Sequence, residues 1–236
     1  MHVMPVLELL TSTGLGSLLG ARHALEPDHL AAVSTLVAHE RDGYKAAWLG
    51  ACWGAGHTFT LVVVGAALVL LRTQMPPTVA TLFELSVALM LIGLGVRAVL
   101  VAARQGPSGP VHEHHHGHMV HVHRGAAAHI HVGAWTLARR PLLVGAVHGL
   151  AGSGALTALV LTTLPTPAAQ LIYMLVFGLG STLGMAALSG VLGWPLARVG
   201  RNRALARCVS AAVGCVSIAL GMAWGYPLVT SLLHSI

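Results

Sequence analysis

Residues 23–29 read His-Ala-Leu-Glu-Pro-Asp-His, two imidazoles and two carboxylates in a segment otherwise dominated by Gly, Ala, Leu and Val. The flanks, GLGSLLGAR before and LAAVSTLVA after, are apolar enough to lie in a bilayer. An Asp at mid-membrane costs roughly 2.5–3.5 kcal/mol by insertion scales, so such groups face a partner, a cavity or an ion. On an unbroken helix His23, Asp28 and His29 would lie at about 0°, 140° and 240° around the axis. Pro27 removes one backbone donor and clashes with the preceding turn, which predicts a break here. An unwound turn lets the three side chains converge and frees carbonyl oxygens. Nitrogen and oxygen donors held in this way suit a divalent transition metal.

Two further histidines sit in apolar runs. His57, in WGAGHTFT, falls near mid-depth of its stretch, and Gly54 and Gly56 beside it allow close backbone approach. It is expected to bind the metal or to support a ligand that does. His148 stands in VHGLAGSGAL without neighbouring carboxylates; ligand and packing roles are equally open for it, and the adjacent glycines are read as packing. Glu84 is expected to pair with Arg22. Cys52, Cys208 and Cys215 form no CxxC and lie in apolar runs, where cysteine behaves as a small packing residue. A thiol-shuttling oxidoreductase is therefore disfavoured.

The context LGARHALEPDHLAAV, with its His-x4-Asp-His spacing, resembles the signature of the nickel/cobalt transporters (NiCoT) and their shorter urease-associated, UreH-like relatives. The Gly56-His57-Thr58 triplet resembles the Gly-His-Ser/Thr of that family's next helix. The resemblance implies an intramembrane metal-recognition site at His23, Asp28, His29 and His57, with Ni²⁺ or Co²⁺ as substrate and no permanently bound cofactor. One departure stands out. FGLGSTLGMA occupies the place of an Asp-containing segment in longer members, and Ser181 and Thr182 offer only neutral oxygen.

The elements that must position these residues are membrane helices. The 236 residues are 55% hydrophobic and only 8% charged, a composition for a polytopic membrane protein. Apolar stretches at 5–38, 46–71, 78–103, 142–164, 168–192 and 205–233 each meet the roughly 20 residues needed to span a bilayer. No basic n-region precedes the first run, so a cleaved signal peptide is not expected. Arg41 and Lys45, then Arg104, Arg124, Arg139 and Arg140, then Arg198, Arg201, Arg203 and Arg207 fall in the connections after spans one, three and five. The opposite side has Arg72. Basic residues mark the cytoplasmic side, so both termini are expected outside the cytoplasmic membrane. The formal charge of +6 is then a topology signal, and nucleic acid is not an expected partner.

A weak internal repeat runs through the chain. Residues 20–25 (GARHAL) align with 145–150 (GAVHGL), 54–58 (GAGHT) with 178–182 (GLGST), and 92–95 (IGLG) with 218–221 (IALG). The three offsets agree within two residues. Three spans per half is an odd number, so the halves should be inverted relative to one another, an arrangement common in secondary transporters.

Between the halves, residues 105–140 carry His112, His114, His115, His116, His118, His121, His123, His129 and His131 among Gly, Pro and Ser. So little apolar content predicts an unstructured cytoplasmic loop that binds divalent metal loosely, as a buffer. At the start of the chain, a free amine, the next amide and the His2 imidazole could chelate Ni²⁺ in a square plane; a frayed terminus is the alternative.

The resulting expectation is an all-α integral membrane protein of six transmembrane helices in two inverted three-helix repeats, the first helix broken near Pro27. Its parts are a first repeat at 1–104, a His-rich loop at 105–141 and a second repeat at 142–236. It is no enzyme but a secondary transporter of nickel or cobalt, with uptake favoured. Its metal set is His23, Asp28, His29, His57, His2 and His148, and its partners are the ion, the lipid bilayer and a cytoplasmic metallochaperone. The sequence carries no signal for an oligomeric state. The competing readings are an efflux permease and a non-transporting membrane metallochaperone or sensor. An anion exporter fits poorly, because carboxylates in mid-membrane have the wrong sign.

Overall fold

Wherever the chain is apolar enough to span a membrane, it is helical. A computed structural model describes residues 6–38, 40, 42–104, 111–116, 119–124, 134–199 and 202–234. The helices are α1 (Val6–His23), α2 (Pro27–Val37), α3 (Gly43–Leu71), α4 (Pro77–Arg104), α5 (Ala134–Thr163), α6 (Pro167–Val199) and α7 (Arg203–His234). Four segments, Gly43–Leu71, Pro77–Arg104, Pro167–Leu196 and Ala204–His234, are long and apolar enough to cross a membrane. The other two stretches expected to span are the divided α1–α2 and the 30-residue α5. α5 starts ahead of its apolar run, carrying Arg139, Arg140 and Pro141 inside the helix.

The helix ends follow from local chemistry. Asp42 caps α3 by accepting from the Tyr44 amide at 2.9 Å, and Asn202 caps α7 by accepting from Ala204 and Leu205. α3 ends at Arg72 in the left-handed conformation (φ 51°), where its N–H reaches back to the carbonyls of Leu68 and Val69. Pro27 opens α2, the helix position that tolerates its missing N–H. The break lies at residues 24–26, bridged by bonds from the Leu25 and Glu26 amides to the carbonyls of Arg22 and His23.

One expectation changes in the polar tract. Instead of lacking structure, Val111–His116 (β1) pairs antiparallel with Met119–Arg124 (β2), placing His112 opposite His123 and His114 opposite His121. Strict all-α architecture therefore holds for the apolar segments and not for this hairpin, whose Val residues at 111, 120 and 122 suit an extended chain. His118, His129 and His131, like His2, lie outside the described residues.

The helices pack in reciprocal pairs. α3 packs along α6 and α5, α4 along α7, and α1 along α6. A Cβ added at Gly20 of α1 would collide with the Phe177 carbonyl of α6, and one at Gly145 of α5 would collide with the Trp53 carbonyl of α3. Gly56 likewise abuts Leu142, as Gly180 abuts Ser17. Each of these contacts is matched by another displaced by 124 or 125 residues, the spacing of the sequence repeat. Thr58 and Thr182, 124 residues apart, share a hydroxyl hydrogen bond of 2.8 Å. Ser217 donates to the Leu91 carbonyl, 126 residues away, at the same distance.

Two buried apolar clusters flank the histidines. One gathers Val33, Val37, Trp53, Leu91 and Met185, and the other Leu61, Val160, Met174 and Phe177. The expected Arg22–Glu84 pair does not form among the described residues: α1 lies on α6 whereas α4 lies on α7, and Arg22 is exposed.

Candidate metal centre

Four histidines from four helices meet in the interior. His23 ends α1, His29 lies in the first turn of α2, and His57 and His148 stand at the middles of α3 and α5. The break at 24–26 is what lets His23 and His29, six residues apart, bring their ring centroids to 4.5 Å. The glycine contacts do the rest. Gly145 and Gly149 bring α5 against the backbone of Trp53 and His57, so that His148 approaches His29 with ring centroids 4.0 Å apart.

Each carboxylate of residues 23–29 accepts a hydrogen bond from an imidazole. Glu26 Oε1 accepts from His23 Nδ1 at 2.9 Å. Asp28 Oδ1 accepts from His29 Nδ1 at 3.1 Å, and its Oδ2 from His148 Nε2 at 2.7 Å. A carboxylate only accepts, so these imidazole nitrogens carry the protons, and in a neutral ring the other nitrogen keeps a lone pair. A carboxylate behind a histidine is the usual device for fixing the tautomer and orientation of a metal ligand.

The nitrogens left over are buried and without a hydrogen-bond partner: His23 Nε2, His29 Nε2, His148 Nδ1 and both ring nitrogens of His57. His23, His29 and His57 offer ligand atoms within 4.8 Å of one another. Leaving a buried polar atom unpaired costs about 1–3 kcal/mol, so several gathered at one point call for an occupant. A divalent cation that takes imidazole nitrogen is the guest this donor set fits. Asp28, His29 and His148 form a second, overlapping group with the same closeness.

The expected metal set thus separates. The structure brings His23, Asp28, His29, His57 and His148 together. Asp28 is not an isolated counter-charge, since both its oxygens are taken by imidazoles. Glu26 was missed as a site residue, although its place three residues after His23, on the same side of a turn, was a usable signal. Gly152 was missed as well: a Cβ there would lie 3.9 Å from His23 Nε2 and from His57 Cε1. Ser181, which aligns with His57 in the repeat, is fully buried with its hydroxyl unpaired. For the His-rich tract only the backbone of the hairpin is described.

Residues 9–223 match NicO, described as a high-affinity nickel-transport protein. The chain belongs to the NicO family. Among curated relatives, the urease accessory protein UreH of Bacillus sp. (strain TB-90) is 31% identical over 225 residues, spanning 95% of each chain. No solved structure matches. The family is one of nickel transport, so this NicO member is a membrane protein of the nickel-transport class and not an enzyme. Membership in a nickel-transport family implies Ni²⁺ as a substrate rather than a bound cofactor.

Proposed function

We propose that the protein is a secondary transporter that carries Ni²⁺, and Co²⁺ as a related ion, inward across the cytoplasmic membrane. His23, His29 and His57 supply the nitrogen ligands. Glu26 and Asp28 orient the imidazoles and offset the charge of the ion, and His148 ties the second half to the site through Asp28. The observation that carries this reading is the set of buried, unpartnered imidazole nitrogens gathered around the α1–α2 break in a member of a nickel-transport family.

The rest of the architecture supports transport over a fixed metal store. The reciprocal glycine contacts and the Thr58–Thr182 bond support a reading of two like halves, 1–104 and 142–236, related by a two-fold axis. With three crossings in each, counting α1–α2 as one, the halves run in opposite senses, and a site at their junction can open to either side in turn. A metallochaperone or sensor has no need of such a pair. The bias of Lys and Arg puts the termini outside and residues 105–141 in the cytoplasm. Exposed Trp194, with the Arg198 guanidinium 3.3 Å from its ring centroid, suits the interfacial end of α6. There the His-rich hairpin would receive the ion and pass it to a cytoplasmic metallochaperone, and His2 would collect it outside.

Uptake of radioactive Ni²⁺ into sealed vesicles of known sidedness tests the reading. The wild type is expected to accumulate the ion and His29→Ala to lose that accumulation while still reaching the membrane. Equal accumulation by both would reject the site, and faster loss of metal from loaded vesicles carrying the protein in its native orientation would reject the inward direction.

A further inference from the structure

The glycines of α5 are not alike. A side chain at Gly145 or Gly149 would run into the backbone of Trp53 or His57, so helix packing excludes one. Gly152 has no such constraint. A Cβ there meets nothing nearer than 3.9 Å, and its nearest atoms are His23 Nε2, His57 Cε1 and Leu61 Cδ1. Glycine inside a helix is less favourable than alanine by about 1 kcal/mol, and packing leaves this one unexplained. Gly152 is also only half-buried, although it borders His57, a wholly buried residue with both ring nitrogens unpartnered. The missing side chain therefore leaves a methyl-sized space on one side of the imidazole cluster.

We propose that Gly152 is a specificity-determining residue, which keeps space beside His23 and His57 for a water ligand of the transported ion. The proposal rests on the reading of His23, His29 and His57 as nitrogen ligands. Those three fill three coordination positions. Zn²⁺ is content with one more, in a tetrahedron. Ni²⁺ with nitrogen and oxygen donors favours tetragonal arrangements, which extend to more ligands than a tetrahedron holds. The space left by Gly152 admits one water beyond the ligand that completes a tetrahedron and thus favours Ni²⁺ over Zn²⁺, and a methyl group in that space removes the advantage. Leu61 forms the far wall of the same gap, so trimming it should return the space.

The test measures Ni²⁺ and Zn²⁺ dissociation constants by chelator competition on purified full-length protein, independently of transport. Gly152→Ala is expected to weaken Ni²⁺ binding about tenfold, the low end of what altering a metal's surroundings does, and Zn²⁺ binding by less than about threefold. Adding Leu61→Ala to Gly152→Ala should restore most of the Ni²⁺ affinity, whereas a merely structural defect would worsen. Gly93→Ala, at a site with nothing within 4 Å, should leave the metal ratio unchanged. An unchanged ratio in Gly152→Ala, or no rescue by Leu61→Ala, overturns the proposal. A wild type that binds no Ni²⁺ overturns the functional reading beneath it as well.

Discussion

The aligned stretches in the two halves of the chain carry different chemistry at reciprocal helix contacts. His23 aligns with His148, Asp28 with Ser153, His29 with Gly154, and His57 with Ser181. The close helix contacts are reciprocal, yet only the first half keeps the full donor set. Electrostatics gives a reason. The first-half cluster and His148 are already in contact, with the His29 and His148 rings 4.0 Å apart. A complete second set here would invite a second divalent ion nearby. Two such ions roughly 5 Å apart repel by on the order of 13 kcal/mol at an effective dielectric of about 20. The lesson is that a shared scaffold constrains backbone approach in both halves while leaving ionic chemistry to one.

The largest expected effect contrasts the residue pair at matching positions. His57→Ala should lower Ni²⁺ uptake at limiting metal by about 100-fold or more, since it removes a proposed ligand and not merely its support. Ser181→Ala should stay within about twofold, because it removes an unpaired hydroxyl. Comparable losses in radioactive Ni²⁺ uptake would mean that the second half supplies a ligand too.

An intermediate effect is expected where the halves touch. Asp28→Asn cannot accept from both His29 and His148 as the carboxylate does, and should weaken Ni²⁺ binding about 10–100-fold. His148→Ala leaves the Asp28–His29 bond in place and should cost less than Asp28→Asn. Equilibrium binding to the purified protein ranks the two. If His148→Ala matched His57→Ala, His148 would be a ligand in its own right.

The smallest effect concerns the segment that neither half contains. Deleting residues 110–131 should lower the total metal bound per chain and leave binding at the intramembrane histidines intact. Metal analysis after dialysis, compared with vesicle uptake, separates the contributions. Complete loss of uptake by a folded deletion variant would put the hairpin on the transport path.

Some of this arrangement is legible in residue types alone. Pro27 announces a helix break through its missing donor, and an imidazole such as His57 amid twenty apolar residues calls for a partner wherever it lies. What depends on which helices are neighbours is not legible. Arg22 and Glu84 look like natural partners, but their helices pack on different neighbours. The bond between Asp28 and His148 spans 120 residues, and nothing local in either segment marks it. Gly152 looks like Gly149 in the sequence and differs only in what faces it. In the His tract, composition predicts little structure, whereas alternating valines permit a strand pair.

The reciprocal packing also bears on how the protein is made. The principal helix contacts, α3 with α6 and α5, α4 with α7, and α1 with α6, all join segments from opposite ends of the chain. While the ribosome has released only the first half, Gly20 and Gly56 have no partner helix, and His29 and Asp28 have no His148. Contacts of such long sequence separation form slowly and late. The nascent first half must therefore wait in the lipid with its polar residues unsupported, and the step that completes the histidine cluster is the arrival of α5 and α6. Biogenesis, on this view, keeps the histidine cluster from assembling before both halves of the chain are in the membrane.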